Sequence, residues 1–203
     1  MWGVTRHLGT IVHEAGHAVV ALLTGRRLSG IRLHSDSSGV TISVGRPRGP
    51  GMVAMLAAGY PAPALFGLGF ALVLDSGRVA LVLWLLVALL AGMLMLVRNW
   101  FGLWTVLASG LVVFAVTWWL PSSAQTAFAY AVTWFLLLTG VREVVDLISV
   151  RRQRRGRPGA RGTDADQLAR ITHLPAAVWV GTFLLVSVAA LGGGVIAASR
   201  AVG

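Results

Sequence analysis

His13, Glu14 and His17 form an H-E-x-x-H pattern within the first hydrophobic stretch of the chain, residues 4–24. Positions i and i+4 of a helix lie on one face, roughly 6 Å apart, so the two imidazoles can reach one metal ion. The glutamate lies about 100° further round the helix, where it can take a proton from a water molecule that the metal activates. The pattern therefore indicates a metal site with a base beside it, but it does not by itself fix the reaction.

The surroundings of this pattern strengthen the interpretation. Three ionisable side chains in an apolar span are energetically expensive and usually have a function. The alternative is that the two histidines and the glutamate only satisfy one another's hydrogen bonds. A soluble surface helix would favour that alternative more than an apolar one does.

The composition places the chain among integral membrane proteins. Of its 203 residues, 56% are hydrophobic and only 12% are charged, which is outside the range of soluble globular proteins. The sequence contains no cysteine. Disulfides and thiolate metal sites are therefore excluded, and any metal must be held by histidine and carboxylate.

The hydrophobic segments predict an all-α polytopic membrane protein with about six transmembrane helices, organised as a single domain over residues 1–203. A basic loop at 151–163 and a short helix at 164–172 precede the last span. The predicted spans are approximately 4–24, 51–74, 79–97, 101–119, 124–150 and 176–198.

Two interruptions of the apolar pattern are informative. Residues 31–34 and 40–44 alternate apolar and polar around a turn, which predicts a small cytoplasmic β-hairpin after the first span. Residues 59–63 place two prolines within the second span. These should kink or break the helix, which a membrane tolerates only against protein or a water-filled cavity.

The arginines predict the orientation of the spans. The sequence contains 17 basic residues, all arginine, and a formal net charge of +10. Most of them fall in the hairpin region and the loop at 151–163, whereas the opposite side holds only Arg6, Arg78 and Arg200. By the positive-inside rule, we expect a multi-pass protein of a bacterial cell membrane with its metal site toward the cytoplasm. The basic loop should contact anionic lipids, and no nucleic-acid partner is expected.

His13 and His17 would supply two of the four ligands of a zinc ion. A third protein ligand would leave the fourth position for water. The candidates on the cytoplasmic side are Asp36, Glu143, Asp146, Asp164 and Asp166. Each carboxylate also has a structural interpretation, as a helix cap or an ion-pair partner. The remaining histidines are interpreted as polar residues at the membrane interface. They are His7, His34 and His173.

The chain resembles the site-2 protease family of intramembrane zinc metallopeptidases, most closely its short actinobacterial-type branch. The matching features are the sequence from residue 12 to residue 18, the hairpin, the Gly-Tyr-Pro break at 59–61 and Thr163-Asp164-Ala165. The resemblance implies that His13, His17 and Asp164 bind one Zn²⁺ ion and that Glu14 is the general base. The family's usual Asp-Gly pair is here Asp164-Ala165. No asparagine follows the Gly-Tyr-Pro element, so Tyr60 is only a candidate for the oxyanion-stabilising group.

The sequence is therefore interpreted as a zinc metalloendopeptidase that cleaves a membrane protein substrate in or near a transmembrane segment, as in regulated intramembrane proteolysis. The hairpin is a candidate surface for pairing with an unwound substrate. One alternative is a catalytically silent family member with a regulatory role. Another is a transporter or metal-handling channel in which the H-E-x-x-H residues form a transit site. The oligomeric state is left open.

Overall fold

A computed structural model describes residues 2–36, 38–154 and 162–202. Within them the chain forms eight helices and one antiparallel two-stranded sheet. The elements in chain order are α1 (Trp2–Leu23), β1 (Arg27–Leu33), β2 (Gly39–Val44), α2 (Pro50–Ala58), α3 (Ala62–Asp75), α4 (Val79–Leu96), α5 (Trp100–Trp119), α6 (Ser122–Arg154), α7 (Asp164–Thr172) and α8 (Ala176–Val202).

The predicted hairpin is confirmed as β1 and β2, which follow the first helix. One edge of β1 is fastened to the segment between α4 and α5. Arg98 donates its backbone N–H to Ile31 O at 2.9 Å, and the Asn99 carboxamide bonds both the N–H and the C=O of Leu33. The Asn99 carboxamide thus takes the place of a neighbouring strand beside β1 and fixes the hairpin against the helices.

The predicted break in the second apolar segment is also present. Helices α2 and α3 meet at a bend of 73°, on either side of Gly59-Tyr60-Pro61. Pro61 removes a backbone donor at the point where one helix ends and the next begins. A Cβ at Gly16 would lie only 2.4 Å from Ala62 Cβ, so small residues allow α1 to pack closely against the break.

The six predicted membrane spans are not confirmed by the structure. Three described helices are long and apolar enough to cross a membrane, namely Val79–Leu96, Trp100–Trp119 and Ala176–Arg200, and the bent α2–α3 pair is a fourth candidate. Helices α1 and α6 are not among them. Helix α1 carries Arg6 and the H-E-x-x-H residues, whereas the charged residues of α6 lie in its C-terminal part, from Arg142 onward. Six spans therefore stay a prediction.

Helix α7 is held against the bundle by a small apolar core of its own. Leu168 of α7 is fully buried and packs with Leu56, Val144 and Phe183, which come from three different helices. Most of the predicted basic loop, residues 155–161, lies outside the described residues. The α6 helix that leads into it continues to Arg154, beyond the predicted end near residue 150.

Candidate metal centre

Helix α1 brings His13 and His17 together on the face that meets α7 and the α2–α3 break. The two Nε2 atoms are 3.1 Å apart, and Asp164 Oδ2 lies 3.2 Å from each of them. The side chains are largely enclosed, with exposed fractions of 15% for His13, 6% for His17 and 16% for Asp164. Three atoms that can ligate a metal thus form a nearly equilateral triangle.

The opposite nitrogen of each ring has its own partner. His17 Nδ1 donates to the backbone carbonyl of Met55 at 2.7 Å, and His13 Nδ1 lies 3.5 Å from Glu143 Oε2. A ring that donates from Nδ1 in its neutral form presents a lone pair at Nε2. When both rings take this neutral form, their two lone pairs and the Asp164 carboxylate repel one another at this separation, so the triangle needs a positive centre, either protons or a metal ion.

The triangle has the dimensions of a metal site. A tetrahedral zinc ion with bonds of about 2.0–2.1 Å keeps its ligand atoms about 3.3 Å apart, close to the observed separations. Gly59 leaves the space beside the triangle open, since a Cβ there would lie 2.5 Å from both His13 Nε2 and His17 Nε2. The donor set and the glycine both fit a zinc ion.

Glu14 is the third member of the pattern, and its ligand atom and those of His13 and His17 lie within 4.8 Å of one another. Its side chain is turned toward the hairpin rather than into the triangle. Thr41 Oγ1 donates to Glu14 Oε2 at 2.5 Å, and a Cβ at Gly39 would lie 2.5 Å from Glu14 Oε1. Strand β2 therefore holds the Glu14 carboxylate beside the triangle rather than within it.

Asp164 owes its position to the N-terminus of α7. Thr163 is the N-cap, and Asp166 reaches back to it so that both members of the capping box are formed. Arg151, at the end of α6, forms an ion pair with Asp166. Although partial burial raises it, the pKa of Asp166 is held below its usual value by hydrogen bonds from Arg151 and Thr163. Asp166, two residues after Asp164, thus anchors the N-terminus of α7.

The other candidate ligands lie elsewhere. Asp36 accepts hydrogen bonds from Ser38 in the hairpin turn, which lower the pKa of this exposed carboxyl. Asp146 pairs with Arg142 on an exposed face of α6. Glu143 faces Nδ1 of His13, on the side of the ring away from the triangle. Of the five carboxylates considered from the sequence, Asp164 is the one that the fold places against both Nε2 atoms.

Aromatic side chains pack against one side of the candidate metal centre. The Tyr60 ring meets the His13 ring edge-on, with centroids 4.7 Å apart, and stacks on Phe183 at 5.4 Å. The remaining histidines have other surroundings. His7 packs against Phe101, His34 lies exposed at the end of β1, and His173 ends α7 in a left-handed conformation.

Some residues around the centre carry no signal in the sequence. Thr41 is one polar position in an alternating strand, and Gly39 belongs to a turn-forming run. The contact of Met55 with His17 uses a backbone carbonyl, which the identity of residue 55 does not encode. Gly59 is visible in the sequence as part of a helix break, although its role beside the imidazoles depends on the bend.

An H-E-x-x-H helix that faces a further carboxylate, among helices apolar enough to cross a membrane, is the arrangement of a membrane-embedded metallopeptidase. The family model described as Peptidase M50B-like matches residues 1–194. The chain therefore belongs to this family of peptidases, the site-2 protease family that its motifs resemble. No curated protein and no solved structure matches the chain.

Proposed function

We propose that the protein is an active intramembrane zinc metalloendopeptidase. The observation that carries the proposal is the triangle of His13 Nε2, His17 Nε2 and Asp164 Oδ2, with sides of 3.1–3.2 Å and Glu14 beside it. Family membership supports a metallopeptidase, and the dimensions of the triangle favour zinc.

In this proposal His13, His17 and Asp164 hold one Zn²⁺ ion and Glu14 is the general base. The ion, when bound, supplies Lewis acidity toward the scissile carbonyl and lowers the pKa of water. Glu14 takes the proton of the attacking water and returns it to the leaving amine. Thr41 holds the carboxylate during these transfers, and the apolar helices limit access of bulk water.

We propose that residues 1–203 form one unit with six membrane crossings in a bacterial cell membrane, including α1, the bent α2–α3 pair and α6. The distribution of arginines supports a cytoplasmic position for the hairpin, the basic loop and the metal centre. The loop at 151–163 would then contact anionic lipid headgroups. The family and the membrane location support a role in regulated intramembrane proteolysis.

The substrate is proposed to be a membrane protein that presents an unwound part of its transmembrane segment. A helix hides its carbonyls in internal hydrogen bonds, so the scissile region must first become extended. Within the described residues, one edge of strand β2 pairs with β1 and no strand lies along its other edge. Strand β2 also carries Thr41, which lies next to Glu14. Addition of the substrate as a third strand beside β2 would bring its carbonyls to the base.

The experiment is to measure bound zinc in purified protein together with cleavage of a reporter that contains a transmembrane segment, for wild type and Glu14→Gln. The proposal expects about one zinc per chain in both proteins and cleavage only by wild type. The amide of glutamine keeps an oxygen that accepts from Thr41 but is not a base. Absence of zinc from folded wild type would overturn the enzyme proposal and favour a regulatory membrane protein. Zinc without cleavage would require a flux assay in sealed vesicles, which tests the metal-handling alternative.

A further inference from the structure

Glu143 is a partly buried acidic residue of α6, with 21% of its side chain exposed, that the proposed reaction does not use. Its Oε2 atom is enclosed and makes no hydrogen bond to any described residue. The polar atom that faces it is His13 Nδ1, at 3.5 Å. Enclosing a carboxylate oxygen that makes no hydrogen bond is costly in an apolar bundle, so this placement calls for a specific role.

Gly9 provides the room that this carboxylate occupies. It lies one helical turn before His13 on α1, and a Cβ there would lie 2.5 Å from Glu143 Oε1 and 3.0 Å from Thr139 Cγ2. Glycine in a helix interior costs about 1 kcal/mol relative to alanine. A glycine at position 9 is thus explained by the approach of the Glu143 side chain.

The two histidines have corresponding outer partners. His17 donates from Nδ1 to the Met55 carbonyl, which fixes its ring with Nε2 directed at Asp164. Glu143 occupies the equivalent place for His13. The 3.5 Å separation of His13 Nδ1 from Glu143 Oε2 is slightly longer than an ordinary N–H···O hydrogen bond, which spans about 2.7–3.2 Å.

We infer that Glu143 is a positioning residue that accepts a hydrogen bond from His13 Nδ1 and thereby holds His13 Nε2 in the metal triangle. The carboxylate does not itself contact the metal. This inference rests on the proposed metal centre, which it deepens by adding a second, charged layer. Loss of such an outer partner typically weakens metal affinity by about 10–100-fold.

The test compares Glu143→Gln and Glu143→Leu with wild type and with Asp146→Asn as a matched control. Asp146 lies one turn along the same helix and its carboxylate is exposed, so its loss removes an equal charge without touching His13. The readouts are the zinc dissociation constant by chelator competition and the absorption spectrum of the Co²⁺-substituted protein. Cleavage kinetics are a third measurement.

We expect zinc affinity to fall about 10–100-fold in Glu143→Leu and by less in Glu143→Gln, whose amide oxygen can still accept from Nδ1. The Co²⁺ spectrum should shift in both variants, whereas Asp146→Asn should resemble wild type. The apolar leucine suits its surroundings and should not unfold the protein. Wild-type zinc affinity in folded Glu143→Leu would overturn the inference.

Gly9→Ala gives an independent test because it leaves Glu143 in place and displaces its carboxylate. Zinc affinity should fall in this variant, whereas adding Gly9→Ala to Glu143→Ala should have little further effect. Such non-additivity identifies two residues that act through one contact. Equal effects of Gly9→Ala in both backgrounds would contradict a role through Glu143.

Failure of this inference is distinguishable from failure of the proposed function. If wild type binds zinc and cleaves the reporter while all Glu143 variants bind zinc as tightly as wild type, only the inference is wrong. If folded wild type binds neither zinc nor Co²⁺, the proposed function and the inference both fail.

Discussion

The Thr41 hydroxyl donates a 2.5 Å hydrogen bond to the Glu14 carboxylate, which joins the hairpin to the H-E-x-x-H helix. Glu14 is only 4% exposed, so this bond lies in a region largely shielded from water. Gly39, two residues earlier on the same strand, allows the backbone to approach the second carboxylate oxygen. The hairpin therefore takes part in orienting the proposed base, in addition to its proposed role as an edge for a substrate.

Thr41→Val should lower cleavage and leave the zinc content unchanged. Valine keeps the shape of threonine but removes the donor, and a hydrogen bond to a charged group contributes about 1.5–3 kcal/mol. Without this donor, the Glu14 carboxylate is less often held in position to take the proton. The turnover number should fall about tenfold or more. Thr41→Ser, which retains the hydroxyl, is the control, and undiminished turnover by the valine variant would contradict a positioning role.

The local features of this fold could be predicted from sequence because each has a local physical cause. The prolines at 61 and 63 predict the break, apolar and polar alternation predicts the hairpin, and Thr163 with Asp166 forms a cap three residues apart. The choice of Asp164 over the other carboxylates depended on resemblance, because no spacing rule relates residue 164 to residue 13. The contact of Thr41 with Glu14 has no sequence signal, since it arises from packing between elements far apart in the chain. The six spans predicted from hydropathy are not confirmed, since three described helices, or four spans with the bent α2–α3 pair, are long and apolar enough to cross a membrane.

Gly59→Ala should abolish zinc binding without unfolding the protein. The new Cβ would lie 2.5 Å from the Nε2 atoms of both His13 and His17, in the space that a metal ion would share. The matched control is Gly69→Ala in α3, where nothing lies within 4 Å of the added Cβ. That control should be neutral or stabilise the helix by up to about 1 kcal/mol. Metal analysis of both purified variants tests the prediction, and one zinc per chain in Gly59→Ala would place the site elsewhere.

Asp164→Ala and Asp166→Ala should differ sharply, although the two residues are neighbours on α7. The first removes an atom of the proposed triangle and should eliminate stoichiometric zinc. The second removes the capping box and the ion pair with Arg151, which costs about 1 kcal/mol of helix stability. If all of that cost is transmitted to the site, zinc affinity falls only about fivefold. Chelator competition separates the two outcomes, and a larger effect of Asp166→Ala would reverse the proposed assignment.

A photo-crosslinking residue at position 42 should form adducts with a bound transmembrane substrate more efficiently than one at position 23. Ile42 is 42% exposed on β2, the strand that bears Thr41, whereas Leu23 is 80% exposed at the end of α1. Exposure alone would favour the α1 position, so preferential adducts on β2 would indicate strand addition rather than general accessibility. The measurement uses the Glu14→Gln background, in which the substrate is bound but not cleaved. Equal labelling at the two positions, or labelling only at position 23, would place the substrate on another surface.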